Sequence, residues 1–406
     1  MRDDAAPGPV TPRSAGMGAE DPSGHSAPPL QGIRVVEVGN YMAGPWCAMH
    51  LADLGADVVK VENPAGGDMT RQTAPFVDGE SANFARLNRG KRSLALDLKA
   101  KEGREAFLKL AARSDVVVEN MRPGTMQDLG LDYHRLSRQN PGLVYVAASG
   151  WGQDGPYAQL PGLDIIAQGM SGLMSITGEP GRDPVKVGVP IADLVCALYG
   201  ALAAVSALRA RERDGKGQLI DVSLFESAVS LAIWEAGKFF TTGEVPRPLG
   251  SAHQTSAPYQ AVRASDGFFT IGATSPRNWA SFCQALGLAE LEHDPRFEDN
   301  ASRHAHLGEL MPLIEAVTAA RPVGHWISVL QEAGVPCGAI QDYAQVFNDP
   351  HLLERGFFQD LPHPTMGVVR QLRSAMRLTG TPARLTRSGP RLGEHSVEVL
   401  RELGYA

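Results

Sequence analysis

A strand–helix–strand pattern near the start of the sequence restricts the fold more than any other feature. The segment GIRVVEVG (32–39) has the Val and Ile content of a buried strand, GPWCAMHLADLGA (44–56) has helical spacing, and DVVKVE (57–62) is a second strand. Two neighbouring strands joined through a helix lie parallel, because the crossover returns the chain to the same end of the sheet. The sequence therefore predicts an α/β fold built on a parallel sheet.

The same alternation continues along the chain. KEGREAFLKLAARS (101–114) is an amphipathic helix with Phe107, Leu108 and Leu110 facing inward. A long helix over 194–213 is rich in small residues, and we expect it to be mostly buried. A further helix is predicted from about 225 to 240. The additional strands are predicted at SLALDL, at 115–120, at 142–149 and at 216–224.

Changes in composition divide the chain into four parts. Residues 1–30 are rich in Pro, Gly, Ser and Ala and predict a disordered tail. Residues 31–240 are predicted to form the first part of a large α/β domain, and 241–335 a linker and a smaller α/β domain. Residues 336–406 are predicted to be a return segment that completes the large domain.

Composition also excludes several classes of function. The net charge of −7 makes a nucleic-acid-binding surface improbable. We expect no apolar run to approach the ~20 residues of a membrane span. The first thirty residues lack the apolar centre of a secretory signal. Four dispersed cysteines form no metal-binding spacing, so we expect reduced thiols in a cytoplasmic protein and no metal site.

Two isolated acids in apolar segments are the strongest candidates for chemistry. Asp193 lies within KVGVPIADLVCALYG (186–200), and Asp164 lies within PGLDIIAQGM. An unpaired charge in apolar surroundings is costly and is usually paired or used. Either aspartate could instead be the N-cap of a helix, which for Asp164 would cover 165–169. The residues alone leave both alternatives open.

Three segments could bind an anion. The loop NYMAGPWCAMH after the first strand exposes backbone N–H groups at a helix N-terminus, although an ordinary tight turn is the simpler interpretation. Arg122 follows a buried strand and could bind phosphate or form a salt bridge. A basic cluster precedes the SLALDL strand and could bind phosphate or be solvated. This cluster consists of Arg89, Lys91, Arg92, Lys99 and Lys101.

Several segments, taken in order, resemble the family III coenzyme A transferases, a superfamily that includes formyl-CoA:oxalate and carnitine CoA-transferases and α-methylacyl-CoA racemases. The resemblance extends over nearly the whole chain from Gly32, and the order and spacing of the segments carry it. These segments are GIRVVEVGNYMAGPWCAMHLADLGADVVKVENPAGGDMTR, LNRGKRSLALDLK, DVVVENMRPGTMQDLGLDY, ASGWGQDGPYA, VGVPIADLVCALYG, GKGQLIDVSLFESAV, GVPCGAI and PRLGEHSVEVLRELG.

The resemblance implies a function and a set of site residues. Asp193 matches the nucleophilic aspartate that forms an anhydride and then a CoA thioester, and Asp164 falls in the substrate pocket. The substrates are an acyl-CoA, with succinyl-CoA as the expected donor, and a carboxylic acid. No permanently bound cofactor is implied. The resemblance also implies a large Rossmann-like, CoA-binding domain joined to a smaller α/β domain, and a homodimer of two interlocked chains. The implied CoA-binding residues are Asn40, Tyr41, Met42, Ala43, Leu96, Lys99, Asn120, Met121 and Arg122.

Two departures from the family pattern affect nucleotide binding. Asn63 and Asp128 occupy positions where relatives often have arginines. We expect Arg122 and the residues Arg89, Lys91 and Arg92 to compensate. Arg71 and Arg122 are the expected spare cations for a second carboxylate of a small dicarboxylic substrate.

Three other functions remain as alternatives. An α-methylacyl-CoA racemase pairs the aspartate with a histidine just before the residue matching Asp164, but here that residue is Leu163, which cannot move a proton. An NAD-dependent oxidoreductase would need a GxGxxG loop between the first strand and the first helix, and NYMAGPWCAMH does not match that pattern. A CoA-binding protein without catalysis would have little reason to retain the costly charge of Asp193.

Overall fold

A six-stranded parallel sheet forms the centre of the computed structural model, which describes residues 26–406. Its strand order is β5-β2-β1-β6-β7-β8, and β3 and β4 form a short antiparallel hairpin. The predicted α/β class and parallel strands are confirmed. The bounds are β1 (Arg34–Val38), β2 (Asp57–Glu62), β3 (Phe76–Val77), β4 (Glu80–Ser81), β5 (Lys91–Ala95), β6 (Val116–Glu119), β7 (Val144–Ser149) and β8 (Leu219–Ser223).

Helices cover both faces of this sheet. Val35 and Val36 are both fully buried although neighbouring side chains of a strand point to opposite faces. One face packs against α3 and α5, and the other packs against α1 and α8. The helices are α1 (Ala43–Asp53), α2 (Ala82–Leu87), α3 (Lys101–Ala112), α4 (Thr125–Asp128), α5 (Tyr133–Gln139), α6 (Asp164–Met170), α7 (Leu173–Ile176), α8 (Ile191–Asp214), α9 (Leu224–Val229) and α10 (Ile233–Thr242), with a 3₁₀ turn at Met69–Gln72.

Helix α8 is small-residue-rich because it lies directly on the sheet. A Cβ on Gly200 would lie 3.2 Å from Cys47 Sγ and 3.3 Å from a methyl group of Val146. Its opposite face is not buried as predicted, because Leu198 and Leu202 are 47% and 64% exposed. The expectation that no segment is long and apolar enough to span a membrane is also wrong, because this 24-residue helix has that length and composition. Core helices that pack inside a protein often have the same length and composition.

A second, antiparallel sheet has a hydrophobic core of its own. The order β11-β10-β9 brings together β9 (Tyr259–Ala264), β10 (Gly267–Gly272) and β11 (Cys337–Ala339). A turn at Ser265 and Asp266 connects β9 and β10. Phe269, Trp279 and Ile314 lie in this core. Its helices are α11 (Pro276–Leu286), α12 (Asn300–Ala305), α13 (Leu307–Thr318) and α14 (Val323–Glu332), with a 3₁₀ turn at Ala289–Glu292.

The last residues return to the parallel sheet. Gln371 Nε2 donates a hydrogen bond to the carbonyl of Ala85 at 3.0 Å, and Ser396 Oγ accepts one from the N–H of Ala95 at 3.0 Å. Val399 is fully buried in the core on the α3 face. The elements of this part are α15 (Tyr343–Val346), α16 (Pro350–Glu354), β12 (Phe358–His363), β13 (Gly367–Leu372) and α17 (Ser396–Glu402).

Three predicted boundaries differ from the structure. The return segment does not begin at 336, because β11 pairs with β10 in the second sheet. The helix predicted from 225 to 240 is divided into α9 and α10 by a break after Val229. Residues 1–25 of the predicted tail lie outside the described residues, but Leu30 is buried and its N–H donates to the carbonyl of Leu54 at 2.9 Å.

Candidate active site

A cavity of about 880 Å³ opens at the carboxyl ends of the parallel strands. This is where ligands bind in open α/β sheets, because the loops after the strands surround a crevice there. The β1–α1 loop, Asn120 after β6, Ser149 at the end of β7 and the start of α8 all contribute to its walls. Among the predicted site residues, those that line it are Asn40, Tyr41, Met42, Ala43, Asn120, Asp164 and Asp193.

Asp193 is in the first turn of α8 and is not an N-cap, since Pro190 holds that position. Its side chain is half-buried at the cavity wall. Within residues 26–406, no side chain or backbone group forms a hydrogen bond or ion pair with its carboxylate. Burial, and then the nearby charge of Asp164, raise the pKa of Asp193 to about 7. A carboxylate that is poorly solvated and unpartnered is suited to nucleophilic attack.

Asp164 anchors the helix that carries Asp193. Its Oδ1 accepts hydrogen bonds from the N–H groups of Ala192 at 2.9 Å and Asp193 at 3.4 Å, and its Oδ2 accepts one from Gln168 Nε2 at 2.7 Å. The cap of its own helix α6 is Leu163. Asp164 therefore satisfies N–H groups at the start of α8 rather than the helix over 165–169, and it also lines the cavity.

Residues of the β1–α1 loop line the same cavity. Asn120 binds both sides of one loop residue: its Oδ1 accepts from the N–H of Asn40, and its Nδ2 donates to the carbonyl of Asn40, each at 2.9 Å. Tyr41 has a positive φ of 61°. The N–H groups of Met42 and Ala43, at the start of α1, have no acceptor among the residues that the structure describes. They are therefore available to an oxyanion.

A second cavity of about 460 Å³ is lined by other predicted CoA-binding residues. It contains Leu96, Lys99 and Met121, and Asn40 lines both this cavity and the larger one. Lys99 is exposed and is the only cation among the described residues of its lining. Asn63 and Asp128, the two departures from the family pattern, also line it. Arg122 lies instead at a third cavity, beside Glu119 and Tyr145.

The basic cluster does not compensate for these departures. Arg89 binds Asp53 through two hydrogen bonds of 3.1 and 2.7 Å, and Lys91 pairs with Glu37, both as buried or nearly buried ion pairs. Arg92 is nearly buried and pairs with the more exposed Asp57. Their positive charges are balanced by partners far away in sequence. The expectation that Arg89, Lys91 and Arg92 bind the nucleotide is therefore wrong, because each is engaged in the fold.

The spare cation expected at Arg71 is also engaged. Arg71 forms two hydrogen bonds of 2.7 and 2.8 Å with Glu62. Sequence analysis missed Arg86 and Lys186, which line the larger cavity and are exposed. Arg86 donates to the carbonyl of Ala82 and Lys186 to that of Val187, and neither forms an ion pair with any described carboxylate. A signal for Arg86 was its position on a short helix just before the basic cluster.

Fold and site together define an α/β protein with a ligand cavity at the ends of its parallel strands, and the unpartnered carboxylate of Asp193 lines this cavity. Residues 30–396 match the sequence profile described as CoA-transferase family III. A succinate–glutarate CoA-transferase from Agrobacterium fabrum is 39% identical over 383 residues, which cover 93% of this chain and 96% of the relative. A succinyl-CoA:mesaconate CoA-transferase from Haloarcula hispanica is 38% identical, over 92% of this chain and 96% of the relative.

A solved structure agrees with these sequence comparisons. The CaiB/BaiF family protein from Brucella suis superposes with a TM-score of 0.84 at 40% identity, covering 93% of this chain and all of that one. The chain belongs to CoA-transferase family III and is an enzyme that transfers coenzyme A. The family assigned from the resemblance is thereby confirmed.

Proposed function

We propose that this enzyme moves CoA from an acyl-CoA, with succinyl-CoA as the first candidate donor, to a carboxylic acid by covalent catalysis on Asp193. The observation that carries the proposal is the position of Asp193. Its carboxylate is half-buried, has no partner among the described residues, and lines the cavity of about 880 Å³. The donor is taken from the relatives, which are named as succinate or succinyl-CoA enzymes.

The reaction requires four transfers of an acyl group. A carboxylate oxygen of Asp193 attacks the thioester carbonyl, and the CoA thiolate leaves from a mixed anhydride. The thiolate then attacks the carbonyl carbon of Asp193, which forms an aspartyl-CoA thioester and releases the donor acid. The acceptor carboxylate displaces the thiolate to form a second anhydride. The thiolate finally attacks the acceptor's acyl carbon, which gives the new acyl-CoA and frees Asp193.

The cavity walls support this chemistry in two ways. The free N–H groups of Met42 and Ala43 would stabilise the oxyanion that forms when the thioester is attacked. The lining of the cavity is mostly apolar, and a bound acyl-CoA that displaces water from it would protect an anhydride from hydrolysis. Asn40 joins the larger cavity to the second one, so an extended CoA molecule can place its thioester in the first and its nucleotide near Lys99 in the second.

The acceptor that we propose is a dicarboxylate. One carboxylate would react at Asp193, and the other would be bound by Arg86 or Lys186, the cavity cations whose charges no described carboxylate balances. The names of the relatives are consistent with this class, since succinate, glutarate and mesaconate are all dicarboxylates. The racemase alternative is not favoured, because Leu163 lines the cavity beside Asp164 and no histidine belongs to the described lining.

We also propose that two copies of the chain form the active enzyme. Apolar side chains on α8 and α10 are exposed in the single chain, and Phe240 is exposed to 83%. Monomeric proteins rarely expose apolar patches of this kind, so a second copy is the expected cover. We define the apolar patch as Leu198, Leu202, Ile233, Trp234 and Phe240.

Intact-mass spectrometry after brief mixing with succinyl-CoA tests the covalent step. We expect a CoA-sized adduct that peptide mapping places on 186–200, and we expect none in Asp193→Asn, which preserves the shape of the side chain. A protein that gains no adduct from a panel of acyl-CoA donors, but exchanges the α-hydrogen of a branched acyl-CoA, would be a racemase and would contradict the proposal.

A further inference from the structure

Four charged side chains lie buried beneath the β1–α1 loop. Glu37, Lys60 and Lys91 are fully buried, and Asp68 is 2% exposed. They come from β1, β2, β5 and the turn after β2, and their formal charges cancel. We call these four residues the buried charge cluster.

Each ammonium group of this cluster has three oxygen partners. Lys60 Nζ lies 2.6 Å from Glu37 Oε1, 2.8 Å from Asp68 Oδ2 and 2.9 Å from the carbonyl oxygen of Gly39. Lys91 Nζ lies 2.8 Å from Glu37 Oε2, 2.8 Å from Asn88 Oδ1 and 2.7 Å from the carbonyl oxygen of Pro45. Glu37 therefore joins the two lysines, and the lysines bind the two ends of the loop.

The acids of the cluster contact the loop as well. Asp68 Oδ1 accepts a hydrogen bond from the N–H of Tyr41, the residue with positive φ. A Cβ on Gly39 would lie 2.9 Å from Glu37 Oε1, so the chain passes directly over that carboxylate. The loop between the two lysine-bound carbonyls is thus held at both ends and near its middle.

Stability alone does not explain this cluster. Taking charges out of water is costly, and well-packed apolar residues often replace a buried ion pair without loss of stability. The contacts to Gly39, Tyr41 and Pro45 are what an apolar replacement could not reproduce. These contacts fix the backbone that presents the N–H groups of Met42 and Ala43 to the cavity.

We propose that Glu37, Lys60, Asp68 and Lys91 are positioning residues that hold the β1–α1 loop so that its free N–H groups face the thioester of bound acyl-CoA. This inference rests on the proposed function for its catalytic consequence, whereas the effect on the loop can be measured without any substrate. The cluster acts through the loop and does not touch the reacting atoms.

The test compares two double variants that each remove one ion pair between strands of the parallel sheet. Glu37→Gln with Lys91→Met removes a pair between β1 and β5 from the cluster and leaves Lys60 balanced by Asp68. Asp57→Asn with Arg92→Met is the control, since it removes a more exposed pair between β2 and β5 that has no contact with the loop. Both variants are measured by thermal unfolding, by hydrogen–deuterium exchange of the 39–45 peptide, and by the rate of adduct formation on Asp193 at saturating succinyl-CoA.

We expect the cluster variant, and not the control, to accelerate exchange in 39–45 by about tenfold or more. Its adduct rate should fall by about 10²-fold, because small displacements of a site cost that much, while the dissociation constant for CoA changes less. Equal exchange and equal rates in the two variants would overturn the proposal. If the cluster variant does not fold, Asp68→Asn replaces it, with the same expectation at smaller size and the same overturning result.

The two proposals fail in distinguishable ways. If the wild type forms no adduct with any acyl-CoA, the proposed function fails, and exchange in 39–45 still decides whether the cluster positions the loop. If adduct forms but the loop exchanges equally in cluster and control variants, the positioning role fails and the proposed function is retained.

Discussion

The carboxylate of Asp164 lies against the backbone of Asp193, with its Oδ1 3.4 Å from that residue's nitrogen. One side chain thus performs two roles at the site. It satisfies N–H groups at the start of α8, and its negative charge, after burial, is the second cause that raises the pKa of Asp193 to about 7. Asp193, the proposed nucleophile, is therefore held in place by Asp164, whose charge also helps to raise the pKa of Asp193.

This relationship predicts the pH dependence of covalent catalysis. Only the ionised carboxylate attacks the thioester, so the rate of adduct formation in wild type should rise with pH, with a midpoint near 7. Asp164→Asn removes the like charge, and the midpoint should move to lower pH while staying above the ordinary value because burial remains. Single-turnover rates between about pH 5 and 9 measure this.

Asp360→Asn serves as the control for that shift. Asp360 is an exposed acid on β12 that pairs with Arg370, and it does not line the cavity. We expect its profile to match wild type. A midpoint that Asp164→Asn leaves unchanged or raises would contradict the electrostatic coupling of the two aspartates.

The raised pKa of Asp193 also predicts an effect on stability. The folded carboxyl retains its proton between about pH 4 and 7, where the unfolded one has lost it, so wild type loses stability as pH rises through this window. Asp193→Asn cannot ionise and avoids this loss. Its free energy of unfolding should exceed that of wild type by about 1–3 kcal/mol at pH 8 and by much less at pH 4.

Denaturant unfolding of both proteins at the two pH values measures that difference. Asp164→Asn provides a comparison, because an amide there no longer accepts the hydrogen bond from Gln168 Nε2, and it should gain less stability than Asp193→Asn at pH 8. If Asp193→Asn and wild type have the same free energy of unfolding at pH 8, the carboxylate of Asp193 is well solvated in the folded protein. The hypothesis that burial activates Asp193 as a nucleophile would then be contradicted.

Sequence patterns predicted the parallel sheet because most of its strands are short Val-rich segments that alternate with loops and helices. They also placed Asp193, since an acid in an apolar segment is visible locally. They failed for Arg89, Lys91 and Arg92, whose partners Asp53, Glu37 and Asp57 lie on other elements. Whether a cation is free or paired depends on folding, which brings distant acids to it, and no local pattern contains that information.

The sequence also did not reveal which apolar helix faces are exposed. Helix α8 is apolar all round, so periodicity could not show that its Gly200 side lies on the sheet while Leu202 is 64% exposed. The first strand of the hairpin of β12 and β13 is hard to predict, because β12 contains Pro362 and polar residues that do not resemble a strand. Its pairing with β13 overrides that local preference.

Arg86 provides a prediction about the choice of acceptor. If it binds the second carboxylate of a dicarboxylate, Arg86→Met should raise the KM for glutarate by about tenfold or more, since a charged hydrogen bond of this kind contributes roughly 1.5–3 kcal/mol. The rate with a monocarboxylate acceptor should be unchanged. Steady-state kinetics with glutarate and butyrate measure both values.

Lys186→Met is the matched comparison, because Lys186 is the other cavity cation without a carboxylate partner. The variant with the larger loss for glutarate identifies the residue that binds the distal carboxylate. Arg86→Lys should recover part of the affinity but not the geometry of a two-pronged contact. If neither Met variant distinguishes glutarate from butyrate, a dicarboxylate-binding role for these cations is contradicted.

The apolar patch predicts that folding and association are linked. With Ile233, Trp234 and Phe240 between 64% and 83% exposed in the single chain, a folded monomer would present this surface to water. We expect sedimentation to show a dimer down to nanomolar concentrations, and we expect the unfolding midpoint to rise with protein concentration. Trp234→Lys should weaken the dimer, whereas Val397→Lys, an equally exposed site on α17 outside the patch, should not. A wild-type protein that dilutes to a folded monomer would contradict the homodimer, because the patch would then be stable in water without a partner.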